Sequence, residues 1–195
     1  MNFLSHIYLS GDSTTVLLGN FIGDFVKGRQ IQKYPEDIQK GILLHREIDF
    51  FTDSHPIVSQ SKYKLRASQG HYSGVVVDIF YDHFLAANWK DYCPTPLQKF
   101  AQSTHAKLQD NLHWMPPDAQ FMLPYMIQNN WLVSYQTIEG IERACKGMAQ
   151  RTKFKSNMAN AHEQLLQHYD TLKEDFNTFF PLLNAHCKEF INNIP

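Results

Sequence analysis

The stretch Gly41–His55, GILLHREIDFFTDSH, decides the fold of this chain. His45, Asp49 and Asp53 recur at intervals of four residues, in a segment otherwise rich in Ile, Leu and Phe. On an α-helix this spacing stacks each side chain about one turn above the last. An imidazole and two carboxylates in apolar surroundings are costly unless a partner binds them, and a divalent metal is such a partner. The stretch therefore predicts a helix over 36–53 that carries a polar stripe.

The rest of the chain also has helical patterns, because alternating strand runs and Asn-Gly or Asp-Gly hairpin turns are missing from the sequence. Gly19 and Gly23, four residues apart, predict the close approach of another helix. We expect an all-α, single-domain helical bundle of about seven to nine helices over residues 1–195. After an opening segment over 2–10, the predicted helices cover 15–26, 36–53, 56–66, 74–89, 97–112, 119–129, 134–150 and 157–191, the last kinked or broken at Pro181.

Composition places the chain among globular proteins. Of its 195 residues 43% are hydrophobic and 13% aromatic, and its formal net charge is −1. A chain without a strong positive field is not expected to bind nucleic acid in bulk. No apolar run reaches membrane-spanning length, and the first residues lack the basic start of a signal peptide. The three cysteines lie far apart, which is typical of reduced thiols. We therefore expect a cytoplasmic protein with no membrane partner.

Three predicted helices carry ionisable side chains among apolar neighbours, and such side chains are candidates for a shared site. Asp78 and Asp82 are one helical turn apart, whereas His83 is turned about 100° from Asp82, so its direction stays open. His6, in the opening segment, is either a further ligand or a packed side chain. The candidates are Asp24 in FIGDFV, His45 and Asp49 in LLHREIDFF, and Asp78 and Asp82 in VVVDIFYDHF.

These residue types suit a metal centre. Mixed His and Asp ligation favours Mn²⁺, Fe or Zn²⁺, and a carboxylate-rich set favours Mg²⁺ or Mn²⁺. Such a centre activates water and stabilises the charge of a phosphoryl transition state, so phosphoester hydrolysis is the predicted reaction class. The alternative, in which the same residues are helix caps, salt bridges and hydrogen-bonded core side chains, stays open at this point.

Basic residues gather in the segments Lys27–Arg29, 62–66 and 143–155, the last of which includes Arg151 and Lys153. Such runs are often solvated helix faces. The third one is the most suggestive, because its charges follow directly after a predicted helix. A patch of this kind can bind a phosphate or an acidic partner protein.

Several segments in this order resemble the bacterial acyl carrier protein phosphodiesterase family, also called ACP hydrolyase. The resemblance implies an all-α hydrolase distantly related to the His-Asp phosphohydrolases. It implies cleavage of the phosphodiester between 4′-phosphopantetheine and a serine of acyl carrier protein, with Mn²⁺ or Mg²⁺ as the metal. The matching segments are MNFLSHIYLS (1–10), GNFIGDFVKG (19–28), GILLHREIDFFTD (41–53), DIFYDHFL (78–85), WLVSY (131–135) and GMAQR (147–151).

A mechanistic hypothesis for this reaction assigns roles to individual residues. Arg46 or Arg151 would neutralise the phosphate oxygens, and His83 or His6 would protonate the departing serine oxygen. The adjacent pair reads Asp82-His83 rather than His-Asp, which departs from the superfamily pattern. The family motifs carry over onto Asp24, His45, Asp49, Asp78, Asp82 and His83, with His6 and Asp53 in support. The predicted metal ligands are His45, Asp49, Asp24, Asp78 and Asp82, and Asp24 also belongs to the predicted catalytic set. The candidates for contact with the phosphate or the carrier are Lys27, Arg29, Arg151 and Lys153.

Two other functions are compatible with the sequence. One is a phosphohydrolase of the same fold that acts on a small phosphoester or a nucleotide. The other is a metal-free helical interaction protein whose acidic residues form internal salt bridges.

Overall fold

The computed structural model describes residues 1–152 and 156–194, and all the regular secondary structure in these residues is helical. The all-α prediction is confirmed. The described chain has more α-helices than the expected seven to nine, because short helices such as Trp131–Ser134 and Ala161–Gln167 connect the longer ones. The eleven α-helices are α1 Phe3–Leu9, α2 Thr14–Ile22, α3 Glu36–Ser54, α4 Pro56–Gln69, α5 Ser73–Ala87, α6 Leu97–Asp110, α7 Pro117–Gln128, α8 Trp131–Ser134, α9 Ile138–Ala149, α10 Ala161–Gln167 and α11 Tyr169–Asn193.

Helix α3 has the bounds that its end signals predict. Pro35 precedes its first turn, where Glu36 and Asp37 lie at the positive end of the helix dipole. At the other end His55 adopts an extended conformation before Pro56, which ends the helix. The local sequence therefore sets both ends of the helix that carries His45 and Asp49.

The C-terminal helices differ from the prediction. The break lies at His168, between α10 and α11, and α11 continues through Pro181. A proline inside a helix removes one backbone hydrogen bond. Phe179, Phe180 and Leu183 around it are fully buried, so their packing into the core keeps this part of the chain helical.

Helix α5 lies at the centre of the bundle. Its side chains Val76, Phe80 and Phe84 are fully buried. Helices α1, α4, α9 and α11 pack around it, and α2 packs on α3 beside this core. This arrangement places α1, α3 and α5 around one cavity. Among the helices in the described residues, none has both the length and the apolar character needed to cross a bilayer.

Glycine makes the contact between α2 and α3 possible. A Cβ atom at Gly19 would lie 2.1 Å from the carbonyl oxygen of Ile38, and one at Gly41 would lie 2.2 Å from that of Val16. The two backbones are therefore in direct contact. At Gly23 a Cβ atom would lie 2.2 Å from the imidazole of His45. The prediction that the glycines allow close helix approach is confirmed, and the contact sets the distance between His45 and the end of α2.

Gly41→Ala is expected to lower the free energy of unfolding by about 2 kcal/mol, because the new methyl group would clash with a backbone that has no room to move. Urea denaturation followed by circular dichroism measures this change. Gly147→Ala is the matched control: a Cβ there has no atom within 4 Å, so alanine should stabilise its helix by about 0.5–1 kcal/mol. Equal effects at both positions would contradict the described contact.

Candidate metal centre

His6 of α1 and His45 of α3 face the same carboxylate, that of Asp49. The Nε2 atom of His6 lies 3.2 Å from Oδ1 of Asp49, and the Nε2 atom of His45 lies 3.2 Å from Oδ2. Asp24, in the 3-10 turn after α2, approaches Nε2 of His45 to 3.3 Å. One ligand atom each from His6, His45 and Asp49 fit within 4.8 Å of one another. His45 and Asp49 of the predicted stripe are therefore half of a cluster. His6 of α1 and Asp24 after α2 complete it.

Asn20 of α2 orients both imidazoles. Its side-chain Nδ2 donates to the carbonyl oxygen of His6 at 2.7 Å and to Oγ of Ser10 at 2.9 Å, which leaves Oδ1 as an acceptor for Nδ1 of His6 at 2.8 Å. Its backbone oxygen accepts from Nδ1 of His45 at 2.9 Å. Both Nδ1 atoms therefore carry a proton, and both Nε2 atoms are directed at the carboxylates. Metal-binding histidines are commonly oriented in this way.

Burial and hydrogen bonds within the cluster set the pKa values of its members. Burial and the neighbouring His45 lower the pKa of His6, and its hydrogen bond to Asp49 opposes this effect without outweighing it. Burial opposes the charging of His45, but the hydrogen bonds to Asp24 and Asp49 outweigh it and raise its pKa to about 9. For Asp49, burial is outweighed by the hydrogen bonds to His45 and His6, which hold its pKa well below the usual range.

The cluster opens into an acidic cavity of about 260 Å³. Asp78 of α5 contributes to another wall, and its Oδ1 accepts from the amino group of Met1 at 3.0 Å. The same amino nitrogen lies 3.9 Å from Oδ1 of Asp49. The described residues that line this cavity are Met1, Asn2, His6, Asp24, Asp49, Asp53, Val75, Asp78, Ile79 and Met148.

A family model described as acyl carrier protein phosphodiesterase matches residues 1–183. The chain belongs to this family. Similar proteins named acyl carrier protein phosphodiesterase come from Photorhabdus laumondii, at 33% identity over 97% of this chain and 98% of the relative, and from Enterobacter sp. strain 638, at 33% over 96% and 98%. A relative of the same name from Yersinia pestis is 33% identical over 94% of this chain and 95% of its own length. No solved structure matches the chain.

The family assignment made from the sequence motifs is therefore confirmed. The more distant likeness to the His-Asp phosphohydrolases stays a prediction.

The exposure of the acidic residues differs from what their apolar neighbours predict. The side chains of Asp24, Asp49 and Asp78 are 72%, 42% and 28% exposed, because they line an open cavity rather than a sealed core.

Asp82 differs from these three aspartates in its position. It is fully buried, and its carboxylate accepts the backbone N–H of Leu4 at 2.7 Å, that of Ser5 at 3.2 Å and the hydroxyl of Ser5. Burial raises its pKa to about 6 against the opposing effect of these hydrogen bonds. Asp82 thus caps the first turn of α1 from α5. We therefore leave it out of the proposed ligand set, in contrast to the expectation from the sequence.

His83 also lies away from the cavity. Its Nδ1 lies 2.8 Å from the carbonyl oxygen of Tyr135, and its Nε2 lies 3.1 Å from the hydroxyl of Tyr169. Burial lowers its pKa. The expectation that His83 protonates the serine oxygen does not agree with this placement, because both ring nitrogens face other elements of the bundle.

The basic candidates lie at the surface. Arg46 is exposed, and its Nη2 donates to the carbonyl oxygen of Val26 at 3.2 Å. Lys27 and Arg29 are also exposed. The guanidinium of Arg151 lies over the ring of Trp131, 5.7 Å from its centroid. Lys153 lies outside the described residues.

Two contacts at this site complete the comparison with the sequence. Asp53, at the edge of the cavity, accepts from Nζ of Lys62 at 2.6 Å, and its supporting role stays a prediction. Sequence reasoning missed Asn20. The signal was present, because Asn20 is a polar residue in the apolar run VLLGNFIGDF and lies one helical turn before Asp24.

Proposed function

We propose that this protein is a metal-dependent phosphodiesterase that removes 4′-phosphopantetheine from the serine of acyl carrier protein and returns the carrier to its apo form. The observation that carries the proposal is the cluster of His6, His45 and Asp49 beside Asp24, at the base of an open cavity. Family membership supplies the substrate class, because the relatives are named for this activity.

The donor set fits a divalent cation. His6, His45, Asp49 and Asp24 would hold it, through two imidazole nitrogens and two carboxylates. Imidazole suits transition metals better than Mg²⁺, so of the two metals that the resemblance implies this set favours Mn²⁺. When bound, the ion would lower the pKa of a water molecule and neutralise charge on the phosphoryl oxygens.

The reaction is an in-line hydrolysis. The oxygen of a water molecule forms a bond to phosphorus, and the bond between phosphorus and the serine Oγ breaks. A carboxylate of the site takes up the proton that the water releases. The serine oxygen receives a proton as it leaves, and it becomes a hydroxyl. Asp78 lies on the α5 wall of the cavity and is the carboxylate that we assign to the proton transfer. Arg151 and Arg46, outside this cavity, are proposed to contact the phosphate or the acidic carrier.

Incubation with holo-acyl carrier protein and Mn²⁺, followed by mass spectrometry of the carrier, tests the proposal. The carrier should lose the mass of the phosphopantetheine group, and EDTA should prevent the loss. A carrier of unchanged mass together with hydrolysis of a nucleotide would favour the small-substrate alternative. Protein that retains no metal after dialysis and hydrolyses neither substrate would favour an interaction protein.

Asn20→Leu is expected to weaken Mn²⁺ binding about 10- to 100-fold, which is the usual effect of removing the hydrogen-bond partner of a ligating histidine. Leucine keeps the branched shape of the side chain but removes the acceptor of Nδ1 of His6. Titration of metal-free protein with Mn²⁺, followed by electron paramagnetic resonance, measures the affinity. Asn88→Leu is the control, because Asn88 is also partly buried but lies at the end of α5, where its side-chain Nδ2 donates to the carbonyl oxygen of Phe84, away from the cluster. Equal affinities in both variants would show that Asn20 does not position the ligands.

A further inference from the structure

A second cavity, of about 250 Å³, lies next to the acidic one. Asn2 and Met148 line both cavities, so the two spaces share a wall. The second cavity is otherwise bounded by α8, α9 and the segments beside them. A substrate bound in the acidic cavity can therefore extend into this second cavity.

The lining of this apolar cavity combines apolar surfaces with a few polar groups. Phe3 and Trp131 lie with ring centroids 6.1 Å apart, and Ala144 and Met148 add aliphatic surface. Asn2 donates to the hydroxyl of Tyr135 at 3.2 Å. Arg143 and Arg151 bring positive charge to the same cavity. Such a lining suits an uncharged chain that has both methyl and amide groups and is attached to an anion.

We infer that this apolar cavity holds the pantetheine arm while the phosphate lies at the His6, His45 and Asp49 cluster. The inference rests on the proposed function. A phosphodiester at the cluster has two substituents, the serine of the carrier and the arm. The arm has a dimethyl-substituted carbon and a hydroxyl group close to the phosphate, continues through two amides and carries no charge as far as its thiol. The shared wall at Asn2 and Met148 lets the arm pass from one cavity to the other, and the two arginines complement the phosphate at its start.

Gly147→Leu tests this placement. Gly147 lines the apolar cavity in α9, and a Cβ atom there meets nothing within 4 Å. The leucine side chain can therefore fill the cavity without a backbone clash, and it favours the helix. The KM for holo-carrier should rise about tenfold or more, which corresponds to about 1.4 kcal/mol of lost binding. The retained Mn²⁺ should match that of the wild type, and the thermal midpoint should be no lower.

A binding experiment on metal-free protein gives a readout that does not depend on hydrolysis. Pantetheine, the arm without its phosphate, should show saturation-transfer NMR signals with the wild-type protein and lose them with Gly147→Leu. Gln150→Leu is the control, because Gln150 is exposed at the end of α9 and does not line the apolar cavity. Signals of equal strength in wild type and Gly147→Leu, or none in the wild type, would overturn the inference.

The two proposals fail in different ways. If the wild type leaves the holo-carrier intact, the proposed function is wrong, and the NMR result with pantetheine still decides whether the cavity binds the arm. If the wild type releases phosphopantetheine while Gly147→Leu keeps the wild-type KM, the function stands and the location of the arm is wrong.

Discussion

Asp49→Asn should reduce the rate of carrier hydrolysis at least about 100-fold, since even residues that only orient metal ligands typically matter 10- to 100-fold. Both Nε2 atoms approach the carboxylate of Asp49, at 3.2 Å each. Asparagine keeps the shape but removes the charge and turns an amide NH₂ toward one of the imidazoles. The proposed ion would lose one of the two carboxylates, those of Asp49 and Asp24, that would hold it.

Rates of apo-carrier formation with saturating Mn²⁺, and metal content after dialysis, measure this effect. Asp37→Asn is the matched control, because it makes the same change in the exposed first turn of α3. We expect Asp37→Asn to hydrolyse the carrier at the wild-type rate. An Asp49→Asn protein that keeps both its metal and its rate would show that the cluster is not the reaction centre.

Asp82→Ala should lower the free energy of unfolding by about 3 kcal/mol, because buried N–H and O–H groups of Leu4 and Ser5 would lose their acceptor. In a chain of this size the thermal midpoint should fall by roughly 6–12 °C. The cause is the loss of the cap that α5 provides to α1. Because α1 carries His6, this cap also holds one of the proposed ligands in place.

Differential scanning calorimetry and metal analysis of the folded protein separate this role from direct ligation. Asp110→Ala, at an exposed position at the end of α6, should leave the midpoint within a degree or two. A stable Asp82→Ala protein that has lost its metal would mean that Asp82 is a ligand, as the sequence pattern suggested.

The reach of the sequence differs from one helix to another. The bounds of α3 follow from Pro35 and Pro56, because proline restricts its neighbours through local sterics. The helix does not break at Pro181, because the packing of Phe179, Phe180 and Leu183 is a tertiary effect that outweighs one lost hydrogen bond; a kink at Pro181 stays a prediction. Local rules therefore predicted the bounds of α3 well, and they predicted the division of the C-terminal helices poorly.

The same distinction applies to the site. Residues four apart on α3 had to share a stripe, so His45 and Asp49 were found from spacing alone. Asp78 and Asp82 have the same spacing, yet one faces the cavity and the other caps α1. That difference depends on where α1 lies against α5, which periodicity within one helix does not encode. Asn20 was missed for a similar reason, since its role is visible only when α1, α2 and α3 are together.

The contact between Gly23 and His45 has a consequence for the thermodynamics of ion binding. The imidazole fills the space that a Cβ atom at residue 23 would need, and Nδ1 is held by the backbone of Asn20. The ring is therefore confined to one rotamer before any ion arrives. Fixing a free side chain costs up to about 2 kcal/mol of conformational entropy, and a preorganised histidine avoids that cost. The missing side chain at Gly23 thus leaves room for the fixed ring of His45 on α3, and this favours tight binding of the ion by His45.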